Sequence, residues 1–267
     1  MPLTKAQRFH FDAYGFVVLE NVLTAGEVEA MCSALYRLRA EKDLQALGVY
    51  SSSIGDHHFH MGHIVEYDRA LRDFAVHPEL LSCVEDVVGG AVFLEESEAI
   101  INRRAPHSPT HLKPGEINPI GFHTGTRHGW GTYFEKERFH CLFVKTIAYL
   151  TDVGPTDGGT AVIPGSHKMS WPESEMIEAA KADPRLIEQV EAKAGSVLLF
   201  AESLIHSTTE ITSDRERVIA VSGYTPTMFR PWDGNELSRP FIDSLPENIK
   251  PVLTGQANWN WRRNNQT

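Results

Sequence analysis

Two histidines of this 267-residue chain, His123 and His206, stand where metal chemistry could occur. Each follows a short apolar segment, residues 119–122 in the first case and residues 203–205 in the second. Arg217 comes soon after His206, at the start of another β-prone segment. Strands that are distant in sequence become neighbours in a rolled β-sandwich, so the two imidazoles could share one metal ion. The guanidinium of Arg217 could then make a two-pronged contact with the carboxylate of a co-substrate.

Histidine spacing by itself is weak evidence, because each of these residues also has an ordinary structural interpretation. The chain has 13 histidines, and a single histidine is more often a satisfied surface or core residue than a ligand. Gly125, which follows His123 closely, is in the first place a turn residue that can adopt a positive φ. The metal hypothesis therefore depends on the elements that would bring the two histidines together.

The predicted elements are helical at first and mainly β afterwards. Capping-box pairs, Thr4 with Gln7 and Thr24 with Glu27, predict two N-terminal helices. Residues 50–63 are polar and rich in histidine, which indicates a loop. Pro78 begins a further predicted helix.

From residue 91 onwards, short β-prone runs alternate with Gly and Pro turns, interrupted by one predicted helix near residues 174–182. This pattern favours a mainly β fold of the α+β kind, an antiparallel sandwich or barrel with flanking N-terminal helices. We predict one domain over residues 1–267. Residues 1–90 form a mainly helical support, residues 91–228 the β-core, and residues 229–267 a tail that packs on the core.

Composition excludes several classes of partner. The formal charge is −10 and the isoelectric point is about 5.7, which argues against a nucleic-acid polymer or an anionic membrane as the main partner. The three cysteines are far apart and form no disulfide framework. No apolar run is long enough to span a membrane. We therefore expect a soluble, cytoplasmic protein.

Three segments resemble one known family. These are LTDVGPTDGGTAVIPGSHK (150–168), GSVLLF (195–200) with His206 after it, and YGFVVLENVL (14–23). They resemble the phytanoyl-CoA dioxygenase-like family of iron(II)/2-oxoglutarate-dependent oxygenases, from about residue 5 to about residue 230. The resemblance implies a double-stranded β-helix, which is a cupin-like jelly-roll barrel, and the cofactors Fe(II), 2-oxoglutarate and O2.

The same resemblance assigns individual residues. His123 and His206 match the family's two histidine ligands to iron. Arg217 matches the arginine that pairs with the distal carboxylate of 2-oxoglutarate, and Thr208 matches a hydroxyl that assists it. His167, within the Pro-Gly-Ser-His turn, is not a ligand by this resemblance and instead orders the turn.

Gly125 departs from the family's His-x-Asp pattern, because a glycine cannot ligate iron. The preferred interpretation is that chloride or bromide fills the vacant position, since a halide restores both the lost charge and the lost ligand. This resembles the non-haem iron halogenases, in which a ferryl species abstracts hydrogen and the substrate radical takes the halogen. Arg127 or His128 could orient the halide.

Two alternatives remain open for the missing carboxylate. In the first, Glu202, close before His206, supplies the third ligand and the protein is a hydroxylase. In the second, iron has been lost and the protein is a non-catalytic, cupin-like binding module.

The substrate is less well defined by sequence. Asn102, Arg103, Arg104, Lys113 and Arg127 could together hold a phosphate, which favours a small, anionic, nucleotide-like metabolite of secondary metabolism.

Side chains alternate along the strand that carries Lys145 and Thr146, so only one of the two faces the barrel interior. We predict Thr146, grouped with the apolar Val144 and Ala148, as the inward residue near the cofactor. The sequence leaves the oligomeric state open.

Overall fold

The computed structural model describes residues 1–113, 116–126, 130–135, 137–230 and 236–256. Arg127 and His128, named above for halide binding, lie outside these ranges. No helix within them is both long and apolar enough to cross a membrane.

Helices occupy the N-terminal third, one insertion and the C-terminal segment. Both predicted capping boxes are present, because the Thr4 and Thr24 hydroxyls each accept a backbone N–H while Gln7 and Glu27 accept in return. Pro78 stands in the first turn of its helix, where its missing N–H costs nothing. The helices are α1 (Lys5–Tyr14), α2 (Ala25–Ala40), α3 (Arg69–Ala75), α4 (Pro78–Val88), α5 (Glu173–Ala182), α6 (Arg239–Ser244) and α7 (Lys250–Thr254).

The strands form two antiparallel sheets and a separate hairpin. The larger sheet has the order β1-β11-β8-β13-β4-β3-β2, the smaller β10-β9-β12-β5, and the hairpin joins β6 to β7. The strands are β1 (Phe16–Leu19), β2 (Tyr50–Ile54), β3 (His58–Gly62), β4 (Val92–Asn102), β5 (Pro119–His123), β6 (Thr132–Glu135), β7 (Arg138–Cys141), β8 (Val144–Tyr149), β9 (Thr160–Val162), β10 (Glu188–Gln189), β11 (Val197–Ala201), β12 (His206–Thr209) and β13 (Arg217–Pro226).

Two buried clusters fix the layers of the fold. One lies between the two sheets, where Ile147 and Phe200 of the larger sheet join Val162 of the smaller one. The other covers the opposite face of the larger sheet, where Ala148 packs in the same cluster as Leu35 of α2. The expected fold class, a mainly β double-stranded β-helix with flanking helices, is confirmed by this arrangement.

The loop predicted for residues 50–63 is wrong. Strands β2 and β3 form a hairpin there that extends the larger sheet beside β4. Its polar side chains pair with one another and with β4, since His60 contacts the hydroxyl of Ser52 at 2.8 Å and Glu98 at 3.2 Å. Polar residues form this edge of the sheet because its backbone bonds and cross-strand polar pairs compensate for weak β-propensity.

The Pro-Gly-Ser-His turn packs against the end of α1. Gly15 has a φ of 87°, and a Cβ placed there would lie 2.5 Å from Nδ1 of the buried His167. The N–H of Gly165 donates to Tyr14 at 2.9 Å, and the hydroxyl of Ser203 donates to the carbonyl of His167 at 3.1 Å. The turn therefore joins the N-terminal helix to the chain segment that precedes His206.

Candidate metal and co-substrate site

His123 and His206 lie directly opposite each other on the paired strands β5 and β12. Their ring centroids are 4.4 Å apart. Nδ1 of His123 is 3.1 Å from the carbonyl of Gly121, and Nδ1 of His206 is 2.8 Å from the carbonyl of Leu204. These bonds assign the proton to Nδ1 and leave each Nε2 without a hydrogen-bond partner among the described residues, as a metal-binding imidazole requires.

The protonation state of His206 also suits a ligand. Burial, together with the nearby His123, lowers the pKa of His206 to about 3. The ring is therefore neutral at physiological pH, and a neutral imidazole nitrogen has a lone pair available for a metal.

The carboxylate of Glu202 occupies the space that a side chain at Gly125 would fill. A Cβ built on Gly125 would lie 1.2 Å from Oε2 of Glu202. The backbone N–H of Gly125 also donates to the carbonyl of Glu202 at 3.0 Å, which holds the two residues side by side. Glu202 follows β11 and its side chain is buried, with 3% of the residue surface exposed. An aspartate or alanine at position 125 would require Glu202 to move.

Lys145 is the counter-ion of this carboxylate. Its Nζ lies 3.3 Å from Oε1 of Glu202 and 2.7 Å from Oε2 of Glu96. Burial by itself would lower the pKa of Lys145, but the two carboxylates outweigh it and hold that pKa above its usual range. No three His, Cys, Asp or Glu side chains within the described ranges are arranged to hold a metal ion together. Glu202 is thus turned towards Lys145 in this structure rather than towards the histidines.

The prediction that Thr146 faces the interior is wrong. Lys145 lines the cavity beside Gly125, and Ile147 continues the same face into the cluster between the sheets. Thr146 lies on the opposite face with Val144 and Ala148, and its hydroxyl donates to the carbonyl of Ser222 at 3.1 Å. Side chains do alternate along β8, but the face that points to the cavity carries Lys145 and not Thr146. Helices cover the outer face, so the apolar residues lie under the helices and the charged residue faces the site.

Arg217 is a buried cation with no carboxylate counter-ion in the part of the chain that the structure describes. It begins β13 with 3% of its surface exposed, and burial lowers its pKa to about 10. Nη1 donates to the hydroxyl of Thr208 at 2.6 Å and to the carbonyl of Gly158. Nη2 is 3.1 Å from the side-chain oxygen of Asn102 when that amide is turned so that its nitrogen faces His58.

The third guanidinium nitrogen, Nε, indicates which kind of ligand would suit this part of the site. Nε of Arg217 is buried without a hydrogen-bond partner, and no carboxylate of the described residues forms an ion pair with the side chain. A buried, unpaired guanidinium is costly. A carboxylate-bearing ligand would relieve that cost by a charge-assisted contact.

A cavity of about 230 Å³ adjoins Gly125. Sequence reasoning missed two of its acidic residues, although a pair of glutamates inside an otherwise apolar strand, VFLEESEAIIN, was a visible signal. Its lining consists of three carboxylates, one lysine, one aromatic ring and two small residues: Glu95, Glu96, Glu202, Lys145, Phe143, Gly125 and Thr126.

No described residue of the basic cluster predicted for a substrate phosphate lines this cavity. Nε of Arg103 donates to the backbone carbonyl of Asp56, and Arg104 forms an ion pair with Asp214 at 2.7 Å. Both arginines thus have partners from other surface segments, and Arg127 lies outside the described residues.

Glu95 should make the stability of the protein depend on pH. Burial, reinforced by Glu96, raises the pKa of Glu95 from its usual 4.5 to about 8. Because the pKa is higher in the folded protein than in the unfolded chain, the protonated form of Glu95 stabilises the folded state. This contribution is complete below pH 4.5 and is lost as the pH rises through about 8. Glu95→Gln should therefore increase the free energy of unfolding at pH 8, relative to pH 5, by about 1–4 kcal/mol.

Chemical denaturation at both pH values measures this difference. Glu79→Gln, at an exposed position on α4, is the matched control and should show little pH-dependent change. An equal effect of Glu95→Gln at pH 5 and pH 8 would contradict the raised pKa.

Comparisons with known proteins agree with this architecture. The phytanoyl-CoA dioxygenase (PhyH) family model matches residues 11–219. An uncharacterized protein of Mycobacterium tuberculosis, Rv1501, is 24% identical over 217 residues, which is 81% of this chain and 73% of the relative.

Solved structures share the fold at low identity. HygX from Streptomyces hygroscopicus, with nickel and 2-oxoglutarate bound, is 24% identical with a TM-score of 0.69, covering 86% of this chain and 90% of HygX. EctD from S. alaskensis is 20% identical with a TM-score of 0.66, covering 90% and 83%. The α-ketoglutarate-dependent epimerase SnoN of nogalamycin biosynthesis is 18% identical with a TM-score of 0.65, covering 88% and 89%. The family match spans most of the chain, and the protein belongs to the phytanoyl-CoA dioxygenase family of iron(II)/2-oxoglutarate-dependent oxygenases.

Proposed function

We propose that this protein oxidises a C–H bond of a small molecule, with Fe(II) held by His123, His206 and the carboxylate of Glu202. The observation that carries the proposal is the position of that carboxylate in the side-chain space of Gly125. The family's usual aspartate would project from position 125, and Glu202 brings the same chemical group next to that position from the segment after β11. Two histidines and one carboxylate leave coordination positions open for 2-oxoglutarate and O2.

The donor types fit a metal ion once the carboxylate of Glu202 turns from Lys145 towards the two imidazoles. Both imidazoles have Nδ1 occupied by a backbone carbonyl and Nε2 free of described partners. Oε1 of Glu202 is buried and lacks a hydrogen bond of good geometry despite its proximity to Lys145. The relative HygX has been solved with iron bound, which supports the same ion here.

The co-substrate fits the other end of the site. We assign the distal carboxylate of 2-oxoglutarate to Arg217, whose Nε lacks a partner, and to the hydroxyl of Thr208 beside it. Bound iron with 2-oxoglutarate and O2 supplies an oxidant strong enough to attack an unactivated C–H bond. The chain's own part is to hold these groups, exclude competing ligands from the position beside Gly125, and orient the substrate in the adjoining cavity.

Halogenation, the preferred expectation from the His-x-Gly motif, is disfavoured by the same carboxylate. A halide ligand needs the space beside Gly125 to be empty, and the carboxylate of Glu202 stands there. Two anions in one position would also repel each other in a buried setting. A non-catalytic binding module would use Arg217 for a carboxylate ligand as well, so the two paired imidazoles with Glu202 nearby are what favour the enzyme.

Diffraction from crystals grown anaerobically with Fe(II), 2-oxoglutarate and sodium bromide tests the proposal. We expect an oxygen of Glu202 within about 2.0–2.2 Å of the metal, as for other carboxylate ligands, and no anomalous peak at the bromine edge beside Gly125. A bromide peak in the metal's coordination shell, with Glu202 turned away, would overturn the carboxylate assignment and establish the halogenase interpretation.

A further inference from the structure

A β-bulge places two neighbouring glutamates on the same side of strand β4. Gly223 of β13 lies opposite Glu96 and Tyr224 lies opposite Leu94, so Glu95 is the extra residue without an opposite partner. In a regular strand, successive side chains point to opposite faces. Here both Glu95 and Glu96 line the cavity beside Gly125. Bulges commonly re-aim a side chain next to an active site.

The neighbouring strand leaves room for the re-aimed carboxyl group. A Cβ on Gly223 would lie 2.5 Å from Oε1 of Glu95 and 3.2 Å from Cβ of Glu96. Any larger residue at this position would push Glu95 out of its place. The bulge and the glycine therefore act together to seat the Glu95 carboxyl group at the cavity wall.

Glu95 is buried, and none of the described residues pairs with it. It is 4% exposed, and it makes no hydrogen bond and no ion pair with any described residue. The hydroxyl of Thr126, which lines the same cavity, is also buried without a described partner. Native proteins rarely bury such groups unsatisfied unless a ligand completes them.

The charges around the cavity do not balance. Lys145 is the single cation among the described residues that line it, and its Nζ already lies within 2.7 Å of Glu96 and 3.3 Å of Glu202. Once Glu202 ligates a metal, Lys145 still has Glu96 as its partner. Glu95 therefore has no cation of its own among the described residues in either state, and in the free protein its carboxyl group keeps its proton up to a higher pH than usual.

We propose that Glu95 binds an ammonium group of the substrate, so that this oxygenase acts on a small amine. The inference rests on the proposed function, because the cavity is a substrate site only if the metal is bound beside Gly125. An ammonium group brings a positive charge that favours the ionised form of the Glu95 carboxylate, and it donates hydrogen bonds to Glu95 and to the hydroxyl of Thr126. Phe143 gives the same wall an aromatic surface, which also suits an alkylammonium ion. This substrate class replaces the phosphorylated metabolite expected from sequence.

Binding of simple probes tests the proposal without knowledge of the natural substrate. The protein is loaded with Ni(II) and 2-oxoglutarate in an amine-free buffer and titrated with n-butylammonium chloride, n-butanol or n-butyl phosphate, followed by ligand-observed NMR. We expect n-butylammonium to bind on the order of millimolar, and n-butanol and n-butyl phosphate to bind at least about tenfold more weakly.

All titrations are run at pH 9, where Glu95 is ionised and n-butylammonium, like a lysine side chain, still carries its proton. Glu95→Gln then provides the decisive comparison, because it keeps the shape and removes the charge. It should weaken n-butylammonium binding about ten- to hundredfold and leave n-butanol binding unchanged. Glu79→Gln removes the same charge from an exposed helix and should leave both unchanged. Undiminished n-butylammonium binding in Glu95→Gln would overturn the proposal, as would equal or tighter binding of n-butyl phosphate by the wild type, or no n-butylammonium binding at tens of millimolar.

Failure of this inference and failure of the proposed function give different results. The metal and co-substrate are followed separately by the visible absorption of an anaerobic Fe(II)–2-oxoglutarate complex. If that absorption forms but n-butylammonium does not bind, the oxygenase assignment stands and the amine inference falls. If it does not form, the iron site itself is wrong, whatever the amine titration shows.

Discussion

Glu202→Ala is expected to weaken Fe(II) binding by at least about a hundredfold, and adding Gly125→Asp to it is expected to restore most of that loss. Outer-shell partners of a metal typically contribute 10–100-fold in affinity, and a direct ligand should contribute no less. A Cβ at position 125 would lie 1.2 Å from Oε2 of Glu202. The aspartate side chain therefore enters the space that Glu202 has vacated and carries its own carboxylate beside it. Anaerobic Fe(II) titration of the single and double variants measures both effects.

Gly125→Asp by itself should behave differently from the double variant. With Glu202 present, the new side chain must displace a buried carboxylate, and such overpacking costs about 1–3 kcal/mol of stability. The double variant should recover that stability as well as the metal. Glu202→Ala with undiminished Fe(II) affinity in chloride buffer would contradict the carboxylate assignment and favour a halide ligand.

Arg217→Leu is expected to weaken 2-oxoglutarate binding by about 2–5 kcal/mol, the usual cost of removing one partner of a buried charge pair. The protein without co-substrate should lose little stability, because the substitution also removes a buried cation that has no counter-ion among the described residues. Thermal unfolding with and without 2-oxoglutarate measures both quantities, since the stabilisation by a ligand depends on its concentration relative to Kd.

Arg215→Leu is the matched control for this substitution. Arg215 lies two residues earlier, but its side chain is 60% exposed and pairs with Asp157. It should therefore leave 2-oxoglutarate binding unchanged. Retention of normal co-substrate affinity in Arg217→Leu would show that the carboxylate binds elsewhere.

Local patterns in the sequence were sufficient for the features that depend on near neighbours. The capping boxes at Thr4 and Thr24 form as expected because both partners of each box are three residues apart. Alternating β-prone segments and turns indicated a mainly β fold, since strand periodicity is also local. Family resemblance then placed His123 and His206 together, and the pairing of β5 with β12 brings them side by side.

The same local patterns led to wrong predictions for residues whose neighbours come from distant segments of the chain. Residues 50–63 have the composition of a loop, but they form strands because β3 pairs with the edge of β4. Thr146 looks inward-facing until α2 and the other helices cover the outer face of the sheet and make that face apolar too. In both cases the competing influence was tertiary contact rather than propensity.

Sequence alone determined that position 125 lacks a carboxylate, because a glycine is read directly from the chain. Only the tertiary structure decided what fills the gap. Glu202 reaches Gly125 because the chain segment after β11 lies beside the one after β5. Glu95 enters the cavity because a one-residue shift between β4 and β13 turns it there. Both facts depend on the register between strands that are far apart in sequence. A shift of one residue in that register turns a side chain to the opposite face of the sheet, and no short-range sequence pattern encodes the register.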